Sequence, residues 1–281
     1  MKRALVVSGG GSRGSFAIGV LDVLLNRGID YDILCGISVG ALIVPAVAQG
    51  NFDRLKEIWF SIRGNDDVYR WKPFWFLRLP WLRGFFDFTP LWEKIDALLN
   101  VEALRKSSKK VYVGYVDLNT GYLEYVDQSF PEFKKAVFAS ASMPLFADPV
   151  KIWRHSAVDG GIVDVVPLKR AIEAGADEID LILCSSRYIA EAGEGLDNIL
   201  KVGLRSFEIM MNEIFKNDIE HLILINDILR EKGSYRNYRY VKLNIFEPGK
   251  RISDTLELNP VKIREGFRYG REVAIRETRL W

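Results

Sequence analysis

Three short stretches combine residue types and spacings that can do chemistry. Gly36-Ile37-Ser38-Val39-Gly40 is a G-x-S-x-G pattern. Glycines on both sides relieve crowding at a sharp turn, and a serine so placed presents its Oγ at a helix N-terminus, where the dipole favours developing negative charge. The plainer alternative makes Ser38 only a helix cap. Gly9-Gly10-Gly11-Ser12-Arg13-Gly14 leaves backbone N–H groups aimed at one point, which suits a phosphate or the oxyanion of an acyl-transfer intermediate. A dinucleotide fingerprint would add an acidic residue at the end of the second strand. Here that strand ends in the serine turn, and Asp30 and Asp32 come before it. Asp159-Gly160-Gly161 offers a carboxylate with two residues that allow close backbone approach, or simply a turn.

A serine hydroxyl needs a base, and the chain has two histidines. His155 lies four residues before Asp159 in an extended stretch, so the two stand roughly 13 Å apart on a straight strand and make no contacting pair. His221 follows Ser38 and Asp159 in the chain order of α/β-hydrolases, but Asp218-Ile219-Glu220-His221-Leu222 reads as a charged helix face or strand edge. The nucleophile also arrives after the second strand, too early for that fold. A carboxylate is left as base, and Asp159 is the candidate. With an ordinary pKa near 4 it is weak, so the site must desolvate it or stabilise the alkoxide and oxyanion through the glycine loop.

Stepping from strand to helix, apolar runs and helical periodicities alternate at 3–8, 15–27, 31–36 and 39–49. That is the βαβα order of a mostly parallel sheet covered on both faces, and the fold class is α/β. Segments 111–117 and 122–127 flank Leu118-Asn119-Thr120-Gly121 as a hairpin, which makes the sheet mixed. Helices are expected at 131–139 and 168–174, and a strand at 181–185. Leu196, Ile199, Leu200, Gly203, Phe207, Met210, Met211 and Ile214 form a long apolar stripe that reads as core or lid. Between 66 and 88, aromatic residues crowd together with Pro73, Pro80 and Gly84 in what reads as an insertion. Beyond 195 the chain shows packing patterns, with a helix after Pro260 burying Phe267 and Val273.

Composition sets the outer bounds. The chain has 281 residues, 48% hydrophobic and 27% charged, which is globular and excludes disorder. It reads as a single domain, 1–281, with motifs in 2–180, the aromatic insertion at 66–88 and a helical and strand extension over 195–281. A net charge of +2 gives no reason to expect nucleic acid as a partner. Cys35 and Cys184 sit in apolar runs, so they read as core thiols in a reducing, cytoplasmic setting. The apolar run after Lys2-Arg3 is too short for a signal peptide, and no stretch is long enough to cross a bilayer.

The glycine loop, the Ser38 turn and Asp159-Gly160-Gly161, in this order, together resemble the patatin-like phospholipase family. Ala139-Ser140-Ala141-Ser142-Met143-Pro144 and Val166-Pro167-Leu168 extend the likeness over roughly 2–180. The resemblance implies a three-layer α/β/α sandwich and a serine acyl hydrolase with a Ser-Asp dyad, no cofactor and no metal. It makes Ser38 the nucleophile between Gly36 and Gly40, and Asp159 the base beside Gly160 and Gly161. Gly9, Gly10, Gly11, Arg13 and Gly14 form the oxyanion loop, with the N–H groups around Gly10 and Gly11 at its centre and Arg13 holding the loop or an anionic head group. Two positions depart from the pattern: Ser8 where many members have Asp, and Val165 where Asn often precedes Val-Pro.

Substrate follows from the insertion. Trp71, Trp75 and Trp81 are interspersed with Arg70, Lys72, Arg78 and Arg83, a mixture suited to a lipid–water interface. The expectation is a cap over an acyl pocket that docks peripherally on membranes; the alternative is an aromatic subdomain packed inside or in a dimer. The leading function is hydrolysis of phospholipid or other fatty-acyl esters. A small-ester esterase or acyltransferase with the same dyad, and a catalytically silent lipid- or nucleotide-binding module, are the alternatives.

Overall fold

The structure, a computed structural model, describes residues 1–73, 81–187 and 199–278. Trp75 and Leu196 lie outside them. The elements run β1 (Arg3–Val7), α1 (Gly14–Asn26), β2 (Ile33–Ile37), α2 (Val39–Ala48), α3 (Phe52–Ser61), β3 (Arg70–Trp71), β4 (Phe86–Asp87), α4 (Thr89–Leu98) and α5 (Val101–Lys106). There follow β5 (Lys110–Asp117), β6 (Leu123–Asp127), α6 (Phe133–Ser140), β7 (Val150–Ile152), β8 (His155–Asp159) and α7 (Leu168–Glu173). The last are β9 (Glu178–Ile182), α8 (Ile199–Lys232), β10 (Lys242–Phe246) and α9 (Pro260–Glu277).

The central sheet has the order β10-β9-β1-β2-β5-β8-β7, with β6 on the other side of β5. From β10 through β5 the strands are parallel; β6, β8 and β7 run antiparallel to their neighbours. Successive residues of β1 serve opposite faces, as strand geometry requires. Leu5 and Val7 enter the core that holds α1, α2, α6 and α9, while Ala4 and Val6 enter the one that holds α7 and α8. The result is the expected mixed, mostly parallel α/β/α sandwich.

Strand β9 begins three residues before the apolar pattern placed it, because it carries two buried acids. Asp180 is fully buried and accepts from Arg3 Nη2 (2.8 Å), the Tyr31 hydroxyl (2.8 Å) and Asn244 Nδ2 (2.7 Å). Glu178 accepts from Lys242 and Asn244. Buried acids are tolerated when bonded in this way, and their charge hides the strand from a hydrophobic pattern. In the aromatic segment, Tyr69, Phe86 and Phe88 are buried and their rings pack together, while Trp71 and Trp81 are 56% and 80% exposed.

Register fixes the site. Ile37, the last residue of β2, pairs with Gly114 of β5, and Asp159, the last of β8, pairs with Tyr115, the next residue along the same strand. Strands β2 and β8 therefore lie end to end along one side of β5. Ser38 and Asp159 meet where they abut.

Candidate active site

Ser38 turns the chain from β2 into α2 with φ 55° and ψ −123°, a left-handed conformation that is costly for a residue with a side chain. Its hydroxyl makes no capping hydrogen bond, so the helix-cap reading of Ser38 does not hold. The turn is tight enough to exclude side chains on both flanks. A Cβ on Gly36 would stand 2.3 Å from the Gly40 carbonyl oxygen, and one on Gly40 would stand 2.2 Å from that of Val7.

A segment that carried no assigned role holds both halves of the site. The Ser38 N–H donates to Ser140 Oγ (2.9 Å), and the Asp159 N–H donates to the Ser142 carbonyl (3.0 Å). The small residues at the end of α6 thus tie the serine turn to the end of β8. Their only sequence signal is the run of Ser and Ala at 139–142.

Asp159 is 6% exposed and accepts from the Gly161 N–H at 2.8 Å. Burial pushes its carboxyl up to about 7, against the pull of the Gly161 N–H and of the Ser38 hydroxyl. The Ser38 hydroxyl is thus close enough to Asp159 to favour its ionised form. A buried carboxyl that gains and loses its proton near neutrality can accept one from a hydroxyl and return it to a leaving group.

The glycine loop narrows the set of donors. Gly9 N–H donates to the Val165 carbonyl (3.1 Å), Arg13 N–H to the Gly10 carbonyl (3.2 Å), and Gly14 N–H caps the preceding turn. All three belong to the loop expected to meet the oxyanion, but their N–H groups are already engaged. Among the described residues, the N–H groups of Gly10 and Gly11 have no protein acceptor. Ser8, in the position where Asp was expected, donates its hydroxyl to the Gly9 carbonyl and accepts from Cys184 N–H, each at 2.9 Å. Cys184 is itself buried, its thiol pushed up to about 12, and Cys35 is likewise a buried, free core thiol.

Arg13 is 8% exposed and turned onto the protein. Its guanidinium donates to the Gly10 carbonyl (3.2 Å), Glu208 Oε1 (3.1 Å) and Thr255 Oγ1 (3.0 Å). It clamps the loop. The C-terminal third therefore does more than pack: Ser12 N–H donates to the Thr255 carbonyl at 2.9 Å, and Glu208 comes from α8. No motif announces these contacts, since Glu208 and Thr255 are ordinary helix and loop residues in sequence.

Ser38, Asp159 and the glycine loop open into a cavity of about 980 Å³. Leu55 and Trp59 of α3, Leu91 and Ile95 of α4, and Tyr69 and Phe88 of the aromatic segment line its apolar side. The two histidines are elsewhere. His155 pairs with Asp117 at 2.5 Å, and His221 is exposed on α8. Among the described residues, no helix is long and apolar enough to cross a membrane.

The chain is 24% identical over 189 residues to the uncharacterized protein YqhO of Bacillus subtilis (strain 168), a match covering 58% of this chain and 64% of YqhO. Its fold is similar to that in the crystal structure of VipD from Legionella pneumophila, with a TM-score of 0.51 at 14% identity, over 99% of this chain and 67% of that one. The patatin-like phospholipase family model matches residues 5–172, from β1 into α7. Since that stretch is more than half of its length, the chain belongs to the patatin-like phospholipase family.

Proposed function

We propose that the protein is a lipid acyl hydrolase in which Ser38 attacks the carbonyl of a fatty-acyl ester and Asp159 takes its proton. The Gly10 and Gly11 N–H groups face the developing oxyanion, the alcohol leaves with the proton that Asp159 returns, and water activated by Asp159 then clears the acyl-enzyme. One observation carries this reading: a strained serine turn and a buried carboxyl titrating near neutrality meet in the same apolar cavity. The width of that cavity and its apolar wall favour an acyl chain over a small ester.

Labelling with a fluorophosphonate probe, read by mass spectrometry, tests the assignment. Label is expected on Ser38 in the wild type, absent in Ser38→Ala, strongly slowed in Asp159→Asn and retained in His221→Ala. No labelling of the wild type with liposomes present would overturn the reading. Because Asp159 acts as base only when ionised, the labelling rate rises with pH through about 7 and then levels. Among the described residues of the 66–88 segment, Trp71 and Trp81 are the exposed aromatic ones and the proposed contacts with a lipid surface. Liposome co-sedimentation unchanged by Trp71→Ala plus Trp81→Ala would refute that part alone.

A further inference from the structure

Two peptide groups meet the site from behind, and one residue holds the far edge of each. The Gly161 N–H donates to Asp159 Oδ1 at 2.8 Å, and the carbonyl on the other edge of that peptide, that of Gly160, accepts from the Asp164 N–H at 3.0 Å. The Val165 carbonyl accepts from the Gly9 N–H at 3.1 Å, and the N–H on the other edge of that peptide, that of Val166, donates to Asp164 Oδ1 at 2.9 Å. A peptide group is planar and rigid, so a grip on one edge sets the direction of the other. Asp164 therefore stands one peptide away from the proposed base and one peptide away from the glycine loop.

Asp164 is itself braced. Tyr125 of β6 pairs with Gly114 of β5, and its hydroxyl donates to Asp164 Oδ2 at 2.6 Å. The ring can reach across because Gly114 has no side chain: a Cβ there would stand 2.8 Å from Tyr125 Cε1. Gly114 is also the partner of Ile37, the residue before Ser38, and a Cβ on Gly160 would stand 2.6 Å from its carbonyl oxygen. The brace thus crosses β5 at the point that the serine turn and the Asp159 turn share. Neither Tyr125 nor Asp164 lines the cavity, so any effect on a substrate there passes through the backbone they hold.

We infer that Asp164, braced by Tyr125, is a positioning residue that keeps the base Asp159 and the oxyanion donors of Gly10 and Gly11 in register with each other. Gly9 directly precedes the first open N–H of the loop, so a shift of the Val165 carbonyl carries Gly10 with it. A displacement of about 1 Å between reacting groups can cost on the order of a hundredfold in rate. The inference rests on the hydrolase reading for what these two segments do, but half of its test reads no chemistry.

Two measurements on the full chain are combined: the rate of fluorophosphonate labelling of Ser38, and amide hydrogen exchange of the peptides that contain Gly9 and Gly161. Asp164→Ala is expected to label at least about tenfold more slowly than the wild type. Measured well below the thermal midpoint, lost stability alone leaves that rate unchanged. The same variant exchanges faster in the two named peptides and as the wild type in β9. Asp164→Asn recovers most of the rate, because its amide oxygen accepts from Val166 and its amide nitrogen donates to the Tyr125 hydroxyl. Tyr125→Phe keeps the ring over Gly114 and loses only the hydroxyl, so it gives the same signs at smaller size, about threefold in rate, and serves as the test if Asp164→Ala does not fold. Wild-type rates and exchange in the Ala and Phe variants overturn the inference and leave the hydrolase standing. Asp164→Asn as slow as Asp164→Ala also overturns it, since hydrogen bonds would then not be what sets the two segments. A wild type that takes no label overturns the hydrolase reading instead, and the exchange of the two peptides still decides whether Asp164 holds them.

Discussion

The turn that carries Ser38 and the loop that carries Gly10 and Gly11 face one cavity, yet they are held by different means. The turn is fixed by backbone pressed against backbone, with Gly36 against Gly40 and Gly40 against Val7. The loop shares such contacts, Gly11 lying against the Thr255 carbonyl, but it is held in addition from outside by side chains, through Arg13 to Glu208 and Thr255 and through Ser8 to Cys184. Close backbone packing admits one residue type and so leaves a motif. A side-chain clamp admits many pairs and leaves none. The contrast predicts that the turn is intolerant of any added atom, whereas the loop fails by degrees.

The largest effect is expected at the turn. Gly40→Val places its Cβ 2.2 Å from the Val7 carbonyl oxygen and should cost about 4 kcal/mol or more, read as a collapsed urea midpoint or loss of soluble protein. A midpoint within error of the wild type would end the claim that backbone contact holds the turn. Next comes the carboxyl beside it. Burial raises Asp159 from 3.8 to about 7, so the folded state keeps a proton that the unfolded chain releases, and stability is lost as pH climbs through that window. Asp159→Asn removes this loss, since the amide oxygen still accepts from Gly161. Its stability relative to the wild type should grow between pH 4 and pH 7 by up to roughly 4 kcal/mol and then level. A flat difference across that range would show that the carboxyl is not desolvated.

On the loop the expected changes are smaller. Arg13→Met strips Gly10 and Thr255 of a donor but leaves Glu208 with Arg205 and Arg251, so about 2 kcal/mol is expected rather than the full cost of orphaning a buried charge. Labelling of Ser38 should slow more than stability falls, because the donors move first. Thr255→Val removes one acceptor while keeping shape and should cost about 1 kcal/mol. If Thr255→Val proved as damaging as Gly40→Val, the contrast between turn and loop would be false.

The same contrast explains what the sequence discloses. Strands β1 and β2, helices α1 and α2 and the β5–β6 hairpin follow from apolar periodicity and turn residues, and their few buried polar side chains, Ser15, Asp22 and Asp117, leave that pattern readable. Strand β9 starts earlier than its pattern because Glu178 and Asp180 are buried in ion pairs. Ser38, Asp159 and the glycines could be named from spacing. That the Gly9 N–H is engaged by the Val165 carbonyl could not, since it depends on a residue far along the chain. The apolar stripe pointed to a helix but gave no hint that Glu208, within it, meets Arg13. Among the described residues of the aromatic segment, Tyr69, Phe86 and Phe88 proved to be core, because crowded rings look alike whether they face solvent or one another.

The clamp from Arg13 to Thr255 joins residues 242 apart in the chain. During synthesis the proposed nucleophile Ser38, the proposed base Asp159 and the glycine loop all leave the ribosome long before Thr255, the residue that seats that loop. A nascent chain therefore carries Ser38, Asp159 and the glycine loop before the residue that clamps that loop. Ribosome-bound chains that hold Thr255 inside the exit tunnel and chains in which it is well clear of it should differ in fluorophosphonate labelling of Ser38, with the former silent.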